Sequence, residues 1–479
     1  MNKMKRLYKY AFAGFLLVGV SGCELFSDFG DTNVNPAATT EPILSALLTN
    51  VGAQMGSYAF QTRPGLYSQY FSQTQYTDES LYSLPQLSFT GNYSGPLQDL
   101  QTIINANQSN NMTQVARILQ QYIYWTITDR WGDIPYSEAL TGVNTAPAYD
   151  TQEDVYRGML STLADAVNSF DNASLISGDV IYAGDVASWK RAANSLRMLM
   201  ALQLSERFPD ANGYAATEFK AALNHSAGYI STNAENFDVA YPGGNFPSDY
   251  WSLYNGRRDY AESATMTSLM GSLSDLRQNA FGGANDLANQ ANSNASSNVG
   301  VPYGLARANA EAFTGANTNW ARILRGDLRT QSSTVYIITA AHVALARAEA
   351  ANLGWTTENV TDVYNAGIRF SFEQWGITMP NNYLTQAGVQ LGTDNARKIA
   401  IQRYIAFYPD GLQGWNIWRK TGYPELTPAP AATNAGGQIP RRYVYAQSEY
   451  ATNEAAVNAA AARLTGGDTQ DARVWWDVQ

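Results

Sequence analysis

Apolar residues recur along most of this chain at the spacing of an α-helix. Val115, Ile118, Leu119, Tyr122 and Ile123 fall at offsets 0, 3, 4, 7 and 8, one face of a helix. Val155, Met159, Leu163, Val167 and Phe170 mark a second such face. Between them the stretch Thr128-Asp-Arg-Trp-Gly-Asp-Ile-Pro-Tyr-Ser-Glu-Ala-Leu140 interrupts the pattern. Gly132 permits a positive φ, while Pro135 fixes its own φ and pushes Ile134 out of the helical region. Trp131 and Tyr136 bracket this corner. The pattern predicts a helical hairpin over 113–170, its second helix opening at Asp150-Thr-Gln-Glu153 with Glu at N3.

Three more hairpins follow. One spans 187–225, with Trp189, Ala192, Ala193, Leu196, Leu199 and Met200 on one face. Another spans 334–375, with an Ala-rich helix from Val335 to Leu353, Gly354 at C′ and a partner from Val363 to Trp375. The last spans 393–420. The second helices of the first three share Ala-x-x-x-Phe (Ala166 to Phe170, Ala215 to Phe219, Ala366 to Phe370), one piece of the tetratricopeptide pattern. The predicted class is mostly α: about four tetratricopeptide-like hairpins with little β, in a single domain over 41–479. Two stretches lack periodicity, 72–96 and 226–333. They hold Tyr241-Pro-Gly-Gly-Asn-Phe-Pro247, the aromatic-dense Asp249-Tyr-Trp-Ser-Leu-Tyr254, a helix expected over Ser263 to Gln278, and an Asn/Ala/Ser run from Asn285 to Asn298.

The N-terminus reads as a targeting segment. Residues 1–22 pair a basic start (Lys3, Lys5, Arg6, Lys9) with an apolar run from Ala11 to Val20, too short to span a bilayer. Val20-Ser-Gly-Cys23 resembles a bacterial lipobox, and Cys23 is the chain's one cysteine. The expectation is a lipoprotein signal peptide over 1–22, lipidation of Cys23, and a tether over 23–40. Losing four basic residues with that signal takes the formal charge from −10 to −14, which argues against nucleic acid as a partner. Charged residues are 15% of the chain, against about 25% in ordinary soluble proteins. Aromatics reach 12%. This balance suits uncharged, hydroxyl-rich ligands better than ionic ones.

Catalytic motifs are scarce. His225 and His342 are the only histidines, neither at metal-ligand spacing, and His342 reads as a packed helix residue. No metal or cofactor is expected. A glycosidase would need two placed carboxylates, for which Asp78-Glu79 and Asp129/Asp133 are the candidates nearest aromatic rings. Their plainer reading is solvated or structural, with Asp129, Arg130 and Asp133 fixing the corner. The expectation is a protein that is not an enzyme.

Six segments, in order, resemble the SusD/RagB family. They are Val20 to Cys23, Asp129 to Leu140, Ala346-Arg-Ala-Glu-Ala-Ala-Asn-Leu-Gly354, Trp415-Asn-Ile-Trp-Arg-Lys-Thr-Gly-Tyr-Pro424, Ile439-Pro-Arg-Arg-Tyr-Val-Tyr445 and Arg473-Val-Trp-Trp-Asp477. Ala446 departs from the family, which more often has Pro there. The resemblance implies an outer-membrane lipoprotein, held by palmitate-type acylation and facing the cell exterior. It would cap a SusC-type TonB-dependent β-barrel transporter and bind an oligosaccharide or, in some members, a peptide, without catalysis. A scaffold that binds only protein or peptide is the alternative. The family's binding residues vary, so none is carried over.

Sugars offer CH faces that stack on rings and hydroxyls that need amide or charged partners. The irregular stretches supply such sets: Tyr76 and Tyr82 with Gln75 and Asp78; Trp251 and Tyr254 with Asn255 and Arg257; Tyr303; and Trp320 with Asn319. Trp251 stands first among them, because it follows a Gly/Pro loop and lies on no periodic helical face.

Overall fold

The computed structural model describes residues 40–142, 146–284 and 294–478. The expected signal peptide, Cys23, nearly all of the tether and most of the Asn-rich run lie outside them. The N-terminal part is α1 (Glu41–Ala59), α2 (Thr62–Tyr67), β1 (Phe71–Gln73), β2 (Gln86–Leu87) and α3 (Gln98–Ala106). The first hairpin is α4 (Asn110–Trp131) with α5 (Gln152–Ser169), and the second is α6 (Val186–Gln203) with α7 (Tyr214–Leu223). The irregular part follows: β3 (Phe237–Val239), β4 (Tyr260–Glu262), α8 (Ala264–Ser272), β5 (Gly282–Gly283), α9 (Arg307–Ala316) and β6 (Arg322–Ile323). Then come β7 (Val335–Ile338), the third hairpin α10 (Ala340–Asn352) with α11 (Val360–Gln374), and the fourth, α12 (Asn395–Phe407) with α13 (Gly411–Thr421). The pair β8 (Val444–Tyr445) and α14 (Glu454–Arg463) completes the set.

The fold is helical with little β, as the periodicity implies. Each hairpin packs its own two helices, α5 packs on α6, and α10 packs on both α6 and α12. The strands form two-stranded pairs among the described residues: β1 with β4, β2 with β8, β3 with β7 and β5 with β6.

Local sequence explains most boundaries. Ser109 caps α4 by accepting from the Met112 N–H (3.3 Å), and Gly132 ends it at φ +88°. Trp131 is buried there and donates its Nε1–H to the Leu87 carbonyl (3.0 Å). The α5 cap is Thr151, not Asp150: the Thr151 hydroxyl accepts from the Asp154 N–H (3.2 Å). Asp150 instead accepts from the N–H groups of Tyr136 and Ser137 (2.9 Å each) and closes the corner. Val335–Ile338, expected as helix, is a strand; Thr339 then caps α10. The run Val-Tyr-Ile-Ile is β-branched and aromatic, and pairing with β3 overrides the alanines that follow. The helix expected to reach Gln278 stops at Ser272, beyond which Ser274 takes φ +48°.

The Ala/Phe pairs are buried in the first two hairpins. In the third, Gly367, Ile368 and Ser371 take the inner face instead. A Cβ on Gly367 would stand 2.7 Å from Leu345 Cγ, so α10 and α11 approach at a contact only glycine allows. His342 is the packed residue expected. It accepts from the Thr339 N–H, donates Nε2–H to the Ala406 carbonyl (3.0 Å) and stacks on Phe407. Burial pulls its pKa down to about 3, so it stays neutral.

Buried charges tie the hairpins together. Asp129 accepts from the Tyr156 hydroxyl (2.6 Å), Asn416 Nδ2 (2.6 Å) and Trp476 Nε1 (2.9 Å). Burial still pushes its carboxyl up to about 6. Glu349 pairs with Arg403 and Lys420, joining the third and fourth hairpins. Arg277 joins the irregular part to the scaffold. It pairs with Asp275 (2.5 Å), which precedes it by two residues, and donates to Ser371 Oγ (2.9 Å) and Gln402 Oε1 (2.7 Å).

Candidate functional site

The register of β1 and β4 builds the surface that carries three of the candidate residues, Tyr76, Asp78 and Arg257. Gln73 lies opposite Tyr260, and the two segments stay bonded past the strands. The Thr74 N–H donates to the Asp259 carbonyl (2.9 Å), and its hydroxyl to the Arg258 carbonyl (2.5 Å). The buried Asp259 carboxylate accepts from Gln75 Nε2 (2.5 Å) on one oxygen and from Arg257 Nε (2.6 Å) on the other. One buried anion thus holds an amide and a guanidinium side by side at the surface.

Tyr76 then turns outward. Its backbone sits at φ +52°, a region that costs a non-glycine residue about 1–3 kcal/mol. The residue is 51% exposed. Arg307, at the start of α9, sets its guanidinium 4.8 Å from the ring centroid and pairs with Glu311 (2.7 Å). Asp78 is exposed in the same loop. Glu79 is committed: it accepts from Arg63 (2.9 Å) and from the Tyr260 hydroxyl (3.0 Å).

The other expected rings are placed differently. Tyr254 is buried, donates to the Tyr260 carbonyl (3.0 Å) and accepts from the Ile323 N–H (2.8 Å). The guanidinium groups of Arg322 and Arg329 lie 5.1 and 4.8 Å from its ring. Trp320 is buried with Ala261 and Val301, against Phe313 of α9. Tyr82 and Tyr303 are buried as well, and the Tyr82 hydroxyl accepts from the Ala429 N–H (3.1 Å). All four rings are buried, so none presents an open face to solvent. Trp251 is half-buried on the turn Asp249–Ser252. Arg257 stays 67% exposed at its side chain while bonded to Asp259.

Of the carboxylates considered for hydrolysis, Glu79, Asp129 and Asp133 are each held by structural partners. Asp129 is sealed in the scaffold. Asp133 accepts from the Gln152 N–H (2.8 Å) and Arg463 (2.5 Å). Two site residues escaped the sequence reading. Nothing local in sequence marks Asp259 as buried, and Arg307 reaches Tyr76 across about 230 residues of chain. What the surface offers chemically is a projecting ring edged by an amide, two guanidiniums and a carboxylate. That set can stack on and hydrogen-bond a polyhydroxylated ligand.

Fold and surface together define a helical-hairpin protein that carries a loop-built polar and aromatic face. The family model described as starch-binding and associating with the outer membrane matches residues 34–446, and the chain belongs to this SusD-like family. Among solved structures it is similar to a SusD homolog from Bacteroides uniformis at 25% identity, covering 91% of this chain and 99% of that one, with a TM-score of 0.77. It is also similar in fold to a chitin-binding SusD homolog from Flavobacterium johnsoniae (23% identity, 91% and 99% covered, TM-score 0.78). A SusD homolog from Bacteroides ovatus shares the fold too (23% identity, 92% and 100% covered, TM-score 0.76). No curated protein matches the chain. No described helix is long and apolar enough to cross a membrane.

Proposed function

We propose that this protein captures neutral oligosaccharide at the cell surface and passes it to a TonB-dependent β-barrel partner without altering it. The lipid on Cys23 anchors residues 41–479 to the outer membrane, facing outward. Membership in a family described as starch-binding and outer-membrane-associated supports the ligand class and the location. The observation that carries the site is Tyr76: an aromatic residue held at φ +52°, half exposed, beside the Gln75–Asp259–Arg257 cluster. Strain of this kind persists where surrounding bonds impose it, and it puts the ring where a sugar can stack.

Calorimetric titration with a panel of malto- and chito-oligosaccharides tests this reading. The unmodified chain should bind at least one member, release no reducing ends, and lose at least tenfold in affinity as Tyr76→Ala. Binding of peptides with no affinity for any glycan would replace this reading with the protein-only scaffold. Release of reducing ends that disappears in Asp78→Asn would replace it with a hydrolase.

A further inference from the structure

A second concavity lies in the irregular part and shares no residue with the Tyr76 surface. It holds about 470 Å³, within the range of small-molecule sites. Met270, near the end of α8, and the buried Gln278 and Ser297 line it. These last two are fixed: Gln278 Nε2 donates to Glu262 Oε2 (2.7 Å) and the Ser297 carbonyl (3.0 Å), while Ser297 Oγ donates to the Asn319 carbonyl (2.6 Å). Exposed around them are the carboxamides of Asn279, Asn298 and Asn319. None of the three side chains makes a hydrogen bond among the described residues. The one charged lining residue, Asp275, is spent on Arg277.

Charge and hydrogen-bonding capacity decide what fits. Three free carboxamides offer six N–H donors and three carbonyl acceptors, with no net charge. An anion would find no cation in the lining, and a cation would find Asp275 already neutralised. A neutral group carrying both donors and acceptors matches the lining, and Leu276, 42% exposed at the same cleft, adds an apolar contact. The cleft is also joined to the first surface through packing. Asn319 precedes Trp320, which packs with Phe313 on α9, the helix whose first residue is Arg307 over Tyr76.

The geometry points to this cleft as a second subsite, for an uncharged hydroxyl- or acetamido-bearing sugar unit, engaged by the oligosaccharide that stacks on Tyr76. The assignment rests on the glycan-capture reading above.

The test titrates six-unit malto- and chito-oligosaccharides into the full chain, Tyr76→Ala, Asn279→Ala/Asn298→Ala/Asn319→Ala, and the combination. The triple variant should weaken the bound hexamer about tenfold, and the combined variant should lose more than either. The three amides are exposed and unbonded, so the unfolding midpoint should not move. Should it move, the single variants Asn298→Ala and Asn319→Ala should each still weaken binding two- to threefold. A triple variant that binds like the unmodified chain, while Tyr76→Ala loses affinity, overturns the cleft and leaves the function standing. An unmodified chain that binds no glycan overturns both.

Discussion

In the stacked hairpins Asp129 accepts from three side chains and Glu349 is held by two cations. On the irregular face the side chains of Asn279, Asn298 and Asn319 make no hydrogen bond among the described residues, and Tyr76 projects half exposed. The helices supply their own backbone bonding, so buried polar side chains are free to lock one hairpin to the next. The irregular part must hold its backbone with strands two to four residues long and with side chains such as Tyr254 and Gln278. What it leaves over points to solvent. On the glycan-capture reading, stability and recognition fall to different residues, and variants can separate them.

The sharpest separation is at Arg277, the joint between the two regions. Arg277→Ala removes the cation paired with the buried Asp275 and should cost about 3–5 kcal/mol in denaturant unfolding. An unchanged midpoint would mean that the irregular part does not depend on the scaffold. Next is Asp410, the α13 cap, which is buried and accepts from the N–H groups of Leu412 and Gln413. Burial raises its carboxyl to about 8. The folded state therefore keeps a proton that the unfolded chain releases near pH 4, and stability falls as pH rises from about 4 to 8. Asp410→Asn keeps a capping side chain, so it should gain on the unmodified chain by on the order of 3 kcal/mol between pH 5 and pH 9. A difference independent of pH would refute the assignment.

Tyr254→Phe examines a ring expected at the ligand and found buried. Losing its two hydrogen bonds should cost about 1–2 kcal/mol in unfolding and leave direct glycan contacts in place. A tenfold loss of affinity with no loss of stability would return Tyr254 to the site. The smallest effect on stability belongs to Tyr76. Tyr76→Gly should shift unfolding by no more than about 0.5–1 kcal/mol, and toward greater stability if relief of the positive φ dominates, while binding falls.

Helices were legible because their evidence is local. The offsets of Val115 to Ile123 and the Gly354 stop need only neighbours in sequence. The pairing of Val335–Ile338 with β3 does not, since its partner lies about a hundred residues earlier. The site shows the same division. Tyr76 lies in a segment without periodicity, and that much could be read. The burial of Tyr82 by Ala429, and of Tyr254 by the Ile323 strand, is set by chain 347 and 69 residues away. Aromatic density in a loop therefore could not tell a buried ring from an exposed one.

The hydrogen bond between Asp129 and Trp476 spans 347 residues and has a consequence for biogenesis. The first hairpin can be synthesised early and supplies Tyr156 to its central carboxylate, yet Asn416 and Trp476, the other two donors, are made only near the end of the chain. Chains cut before Trp476 should leave that hairpin open to protease even though its own sequence is complete. A protein built this way completes the bonding of its first hairpin only when synthesis has passed that point.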